Sequence, residues 1–333
     1  MAKTIIIGAS SFVGANLARD LVNQGHEVGI FILPKTWHPF LDELPLNNIF
    51  YGDIRDKTSL RPALKDYEYV YQIAGIVSYS RIDSQKIYDV HVTGTKNVLQ
   101  TAKELGIKKI VVTASTAGLG IPKDKNKPLN EESPFESKYK NVMYMYSKHL
   151  CIKECEKAAE DGVNVSVVSP TTIYGAGDIT MHIGNLIKKI KENKIKAAPP
   201  GGNAVVAVKD AIKGLELTME KGRSGQNYIL ANEFIPYLEI YNVIANLVGA
   251  QEIKKTISPL ALPFLKISAE IQEKFYSSFN KKSALAPHGL DYQFKFRYYD
   301  STKIKRELGW QPQVSFEESI KEAIDFYKEC GFI

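Results

Sequence analysis

The chain has 333 residues, a formal net charge of +6, 44% hydrophobic residues and three cysteines. That length exceeds a small stapled module and suits one large domain, or two unequal ones, with a hydrophobic core of its own. Three cysteines cannot build a disulfide framework, the mild charge comes with no nucleic-acid motif, and no apolar stretch is long enough to span a bilayer. Disulfide scaffolds, nucleic-acid binders and integral membrane proteins are therefore set aside.

MAKTIIIGAS carries one lysine and only three isoleucines before glycine, which reads as a first strand rather than a signal peptide. With no disulfide framework, the cytoplasm is the expected compartment. Strand-length apolar runs recur at 4–7, 28–33, 48–51, 69–73, 109–114 and 164–169. Amphipathic stretches at 12–24, 58–65, 84–105 and 142–161 separate them, each long enough for a right-handed crossover. The alternation predicts an α/β fold, a Rossmann doubly wound parallel sheet.

After Pro170 the rhythm changes. Glycine and proline cluster at 175–177 and 199–202, strands become sparse, and helices are expected at 179–191, 210–220, 237–248, 262–279 and 316–328. The expected division is a dinucleotide-binding Rossmann domain at 1–175, with contributions from about 203–232, and a smaller, mostly helical substrate-binding region at 176–333. The lysine-rich run LIKKIKENKIK at 186–196 keeps Leu186, Ile187, Ile190 and Ile195 near helical spacing, so its lysines read as a solvated face. Leu260, Leu262, Phe264, Leu265, Phe275, Tyr276 and Phe279 read as core, with some available to line a pocket.

GASSFVG at 8–14 follows the first strand and opens the first helix, where a glycine-rich turn presents backbone N–H groups to a pyrophosphate. Gly8 allows the tight turn and Gly14 close helix packing; Ser10, Ser11, Phe12 and Val13 lie between them, Ser11 standing in for a middle glycine. Asp53 and Ile54 follow the third strand, and Ala74 and Gly75 follow the fourth, all at carboxyl ends where a doubly wound sheet binds its ligand. Asp53 suits an adenine amino group, though it also suits a loop cap. Leu33 ends the second strand in place of an acid or an arginine, and Lys35 is the nearby charge, which tips the cofactor expectation from NAD towards NADP.

Tyr144 and Lys148 form Y-x-x-x-K at the start of the helix after the fifth strand, on one helix face. A neighbouring ammonium favours the phenolate of a tyrosine that is otherwise a weak acid at neutral pH. Ser115, at the end of the fifth strand, projects from the same sheet edge. Tyr299 and Lys303 repeat the spacing without that context and read as coincidence. His26, His38, His149, His182 and His288 show no metal-ligand spacing, so no metal is expected.

Taken together, GASSFVG, YGDIRD, HVTGTKNVLQTA, VVTASTAGLG, YMYSK, SPTTIYGAGD and STKIKRELGWQP resemble the extended short-chain dehydrogenase/reductases, in the NAD-dependent epimerase/dehydratase family and its dihydroflavonol reductase-like branch. The resemblance implies that Ser115 holds the substrate oxygen, Tyr144 exchanges its proton, and Lys148 lowers the tyrosine pKa while anchoring the nicotinamide ribose. It further implies cofactor contacts from Thr113, Pro170, Thr171 and Thr172, and substrate contacts from Tyr79, Thr116 and Tyr174. His91 stands where the family usually has a structural asparagine, and reads first as a satisfied core residue and second as a proton relay. The expected activity is oxidation of an alcohol or reduction of a carbonyl on a small, bulky or apolar molecule. A nucleotide-sugar epimerase/dehydratase is the alternative, and a non-catalytic sensor a third. The same resemblance implies a homodimer paired through helices 84–105 and 142–161.

Overall fold

In the computed structural model, which describes residues 3–46, 48–279, 281 and 286–333, the apolar runs of the first half become parallel strands. They are β1 (Lys3–Ile7), β2 (Glu27–Ile32), β3 (Ile49–Tyr51), β4 (Tyr69–Gln72), β5 (Lys109–Thr113) and β6 (Val165–Pro170). Between them run α1 (Phe12–Asn23), α2 (Lys57–Leu64), α3 (Ser84–Tyr88), α4 (Thr95–Leu105) and α5 (Met143–Glu160). A π-helical stretch, Asp89–Gly94, joins α3 to α4, so the helix expected at 84–105 carries a wide turn in its middle.

These strands are unbroken apolar runs because helices cover both faces of the sheet. Side chains still alternate. Ile5 and Ile7 enter a core with Leu60, Val98 and Ile152, while Ile6 enters the opposite core with Leu17, Leu21 and Leu215. The main sheet has the order β3-β2-β1-β4-β5-β6-β9, with β9 (Asn227–Leu230) as a seventh strand beside β6. Its order reverses between β1 and β4, and there the carboxyl ends of the strands open a crevice.

The later part holds more strand than its sequence shows. β7 (Thr172–Tyr174), β8 (Gly202–Ala207), β10 (Glu233–Pro236) and β11 (Phe296–Arg297) form a second sheet centred on β8. Around it lie α6 (Gly184–Lys191), α7 (Val208–Lys221), α8 (Tyr237–Leu247), α9 (Leu262–Ser277), α10 (Pro287–Gln293), α11 (Thr302–Leu308) and α12 (Phe316–Glu329). α6 begins five residues later than the helix expected from 179, because Met181 adopts a left-handed φ of 58° that breaks a helix. Ile187 and Ile190 of α6 are buried and its lysines exposed, the solvated face that the spacing predicts.

The aromatic run of α9 departs from expectation. Leu260, Phe264, Phe275 and Phe279 are exposed, and none of the seven residues read as core or pocket lining contributes to the main cavity. Helical spacing places Phe264, Ile267, Ile271 and Phe275 on one outward face, while Ala269 packs inward. Elsewhere the tail is firmly clasped: Trp310 is fully buried and donates to the Asp210 carbonyl at 2.9 Å, and the Asp210 carboxylate accepts the amides of Gln313 and Val314. Among the described residues no helix is long and apolar enough to cross a membrane, and no group of three acidic, cysteine or histidine side chains could hold a metal ion.

Candidate active site

The β1–α1 turn is tight for a physical reason. Gly8 has φ 88° and a Cβ there would lie 2.7 Å from the Ala74 amide, while a Cβ on Gly14 would lie 2.3 Å from the Gly8 carbonyl oxygen. Only glycine lets β1, the β4 loop and α1 approach so closely. Ser11 caps α1: its hydroxyl donates to the Gly8 carbonyl at 2.7 Å and accepts the Gly14 amide at 3.2 Å. The free first-turn amides and the positive end of the helix dipole therefore face the crevice. The Gln72 side chain holds the next turn by accepting the Ala74 amide at 2.9 Å.

A cavity of about 490 Å³ opens at this edge, and Ser115, Tyr144 and Lys148 all line it. Ser115 lies two residues beyond β5 and Tyr144 in the first turn of α5. Lys148, one turn on, donates to the Thr113 carbonyl at 3.2 Å, beside Gly75. Burial pushes the Tyr144 phenol above its ordinary value, against a hydrogen bond to Ser115 and the Arg297 guanidinium, which pull it down. Burial pushes the Lys148 ammonium down. The Thr113 hydroxyl is buried with no partner among the described residues. A glycine cradle, a helix N-terminus and this orphaned hydroxyl along one edge fit an extended dinucleotide.

The model of the NAD dependent epimerase/dehydratase family matches residues 4–232. The chain belongs to that family. It is a family of NAD-dependent oxidoreductases and dehydratases, which makes NAD or NADP the cofactor class here, as the motifs from GASSFVG onward imply. Sterol demethylase protein B of Methylococcus capsulatus is 28% identical, covering 99% of each chain. A provisionally named dihydroflavonol 4-reductase of Synechocystis is 27% identical over 98% of this chain and 95% of its own. Among solved structures, that of gox2253 superimposes with a TM-score of 0.85 at 26% identity, covering both chains completely.

Against this epimerase/dehydratase framework, the structure places the sequence-predicted residues in two groups. Ser11, Phe12, Val13, Gly75 and Thr113 line the cavity, as do Pro170, Thr171 and Thr172 at the end of β6 and the start of β7. So do Tyr79, Thr116 and Tyr174, although the Thr116 hydroxyl is directed at the Pro170 carbonyl, 3.4 Å away. Gly8, Ser10, Gly14, Leu33, Lys35, Asp53, Ile54 and Ala74 lie outside the cavity wall, in the turn or after β2, β3 and β4. The Ser10 hydroxyl meets that of Thr36 at 3.0 Å, and Lys35 is exposed with a left-handed φ of 64°. Asp53 accepts the Arg55 amide at 2.9 Å and pairs with its guanidinium at 2.6 Å. A loop cap is thus present, and it holds the carboxylate ionised.

Tyr299 and Lys303 are elsewhere: the phenol donates to the Gly120 carbonyl at 2.7 Å and the ammonium to the Asn227 carbonyl at 2.9 Å. Sequence reasoning missed Tyr292, Asn203 and Arg297, which also line the cavity. Arg297 alone carried a signal, an arginine among aromatics in FKFRYYD, and nothing local says where that segment packs.

His91 sits in the π-helical stretch beneath the site. Its Nε2 accepts the Ile76 amide at 3.0 Å, which leaves the proton on Nδ1, 2.8 Å from the Ser147 hydroxyl; that hydroxyl donates to the Tyr144 carbonyl at 3.1 Å. Both ring nitrogens are satisfied, the first of the two readings. Burial, then the Lys148 charge, holds the imidazole pKa well below its ordinary value, so the ring is neutral. A neutral buried histidine stabilises fully above pH ~6.5 and progressively less as pH falls below it, by up to about 1.4 kcal/mol per pH unit. Chemical denaturation of His91→Asn should therefore show a shallower loss of stability between pH 7 and 5 than the parent. His91→Ala should cost about 2–4 kcal/mol at pH 7 by orphaning Ile76 and Ser147.

Proposed function

We propose that the chain is an NAD(P)-dependent dehydrogenase/reductase that interconverts an alcohol and a carbonyl on a small, largely apolar organic molecule. The supporting observation is the convergence of Ser115, Tyr144 and Lys148 on one cavity at the carboxyl edge of the sheet, beside the N-terminus of α1. When bound, NAD(P) supplies the hydride acceptor or donor. The α1 amides and Ser11 would hold its pyrophosphate, Asp53 and Ala74 the adenosine end, and Thr113, Pro170 and Thr171 the nicotinamide end. Ser115 would orient the reacting oxygen, Tyr144 Oη would give or take its proton, and Lys148 would be the cation at the ribose, while the cation acting on the phenol itself is Arg297. Val77, Tyr79, Ile173 and Tyr292 give the cavity apolar walls, which favour an organic body over a bare sugar.

Lys35 favours NADP, since Leu33 offers no acid to a ribose hydroxyl and no carboxylate pairs with Lys35 among the described residues. NADH and NADPH fluorescence titrations, followed by a screen of carbonyl compounds and nucleotide sugars, test the whole reading. Net cofactor oxidation is the expected result; sugar conversion without net turnover would make the enzyme an epimerase. Lys35→Ala should weaken NADPH about fivefold and leave NADH unchanged, and an equal loss for both would remove the NADP assignment.

A further inference from the structure

Arg297 is a cation in the cavity wall whose donors the proton-transfer chemistry leaves unused, although its charge lowers the pKa of the Tyr144 phenol. It reaches the cavity because β11 pairs with β8 in the register Arg297↔Asn203, and alternation then sets Arg297 on the same face of the small sheet as Asn203 and Thr172. Its guanidinium lies 4.2 Å above the ring of Tyr292 and donates from Nη2 to the Tyr237 hydroxyl. Its Nε and the Tyr292 hydroxyl are buried and make no well-aligned hydrogen bond among the described residues, although the hydroxyl lies against Tyr79 and Arg297.

A half-buried arginine in a cavity wall ordinarily faces a carboxylate, because a partly desolvated charge is costly to leave unpaired. Here its described neighbours are the Tyr292 ring and the Tyr237 hydroxyl, neither of them a carboxylate. The one carboxylate among the lining residues, Asp178, is already taken up: it accepts the Thr180 hydroxyl at 2.6 Å, the Ile183 amide at 3.2 Å and the Tyr327 hydroxyl at 2.8 Å. The cavity therefore presents a fixed cation with an unused Nε donor and, among the described residues, no counter-ion. Two paired strands and an aromatic ring hold it in place.

We propose that Arg297 is a substrate-anion site that binds a carboxylate, an assignment that rests on the redox reading of the same cavity and narrows its substrates to amphipathic organic acids. One guanidinium with a neighbouring phenol matches the single charge and planar fork of a carboxylate. A phosphate dianion would call for more donors than this wall offers. Tyr79 links the two ends of the pocket, its ring 5.2 Å from that of Tyr144 and 5.1 Å from that of Tyr292. The carboxylate would thus lie across Tyr79 and Tyr292 from the reacting carbon, with the apolar body between Ile173 and Val77.

The test uses calorimetric titration of the full chain, with and without NADPH, against two matched pairs: a hydroxysteroid carboxylic acid and its methyl ester, and UDP-glucuronate and UDP-glucose. The steroid acid should bind at least tenfold more tightly than its ester. Arg297→Gln should weaken the acid about 10- to 100-fold and leave the ester within twofold, and Arg297→Lys should recover part of the loss. Both variants should melt within a few degrees of the parent.

Equal binding of acid and ester, or no binding of the acid at millimolar concentration, overturns the assignment. So does an equal loss of UDP-glucuronate and UDP-glucose in Arg297→Gln, which would make phosphate the anion read. Cofactor titration stands apart from these arms: failure to bind NADPH or NADH sinks the redox reading, whereas loss of acid preference with cofactor binding intact sinks Arg297 alone.

Discussion

Tyr144→Phe is expected to lower kcat about a thousandfold while leaving cofactor affinity within twofold. The substitution removes one oxygen and keeps the ring, so its edge contacts with Tyr79 at 5.2 Å and His91 at 5.9 Å survive. What goes is the group that exchanges the substrate proton, and a positioned acid or base contributes roughly 10²–10⁴ in rate. The direction of the phenol shift adds a second readout. Burial holds Tyr144 protonated through neutral pH, so carbonyl reduction should be flat there and decline only in strong alkali. Alcohol oxidation needs the phenolate and should climb with pH over the same range. Both limbs should vanish in the phenylalanine variant. Tyr299→Phe is the control, because it breaks the second Y-x-x-x-K yet removes a buried hydrogen bond to Gly120 and a contact with Thr116, and touches neither Ser115, Tyr144 nor Lys148. It should cost about 1–2 kcal/mol in stability and leave kcat intact. A Tyr144→Phe enzyme retaining more than a tenth of parental kcat would end the assignment of Tyr144 as the proton carrier.

The parallel sheet was legible because β1, β2, β4, β5 and β6 are largely buried on both faces, which leaves apolar runs bounded by turn residues that few other folds produce. Ser11, Gly75 and Ser115 were legible for a related reason: each follows closely on a strand end, while Tyr144 and Lys148 were legible from their spacing at the start of the helix between β5 and β6. Neither argument reaches the second half. β8 begins inside a run of prolines and glycines, β11 is two residues long, and the pairing of Arg297 with Asn203 joins positions whose local sequences carry no mark of each other. A cavity wall built by such pairing is a tertiary fact. α9 shows the converse failure, since hydrophobicity reports that Phe264 and Phe275 are apolar but not whether anything packs against them. His91 was half legible: its type predicts a satisfied or a titrating ring, and only the positions of Ile76 and Ser147 decide between them.

Gly14→Ala should be the most destabilising single-methyl change in the chain's N-terminal turn, and it should weaken the cofactor at the same time. The added Cβ would stand 2.3 Å from the Gly8 oxygen and 2.8 Å from the Ala9 Cα, both backbone, so no rotamer change can relieve it. Either α1 lifts from β1 or the Gly8 carbonyl turns away. The second route breaks two hydrogen bonds, since that carbonyl accepts the Ser11 amide at 3.0 Å and the Ser11 hydroxyl at 2.7 Å. The first moves the α1 amides away from the crevice. Overpacking against rigid neighbours costs about 1–3 kcal/mol and a lost cap about 1 more, so a loss of roughly 3 kcal/mol is expected by denaturant titration. The Kd for NADPH should rise at least tenfold, because the displaced amides are those that would meet the pyrophosphate. Gly25→Ala separates this effect from backbone strain: Gly25 also has a left-handed φ, 82°, but a Cβ there meets nothing within 4 Å. It should cost only about 1 kcal/mol and leave cofactor binding unchanged. If both variants lost stability and affinity alike, close packing of α1 on β1 would not be what places the dinucleotide.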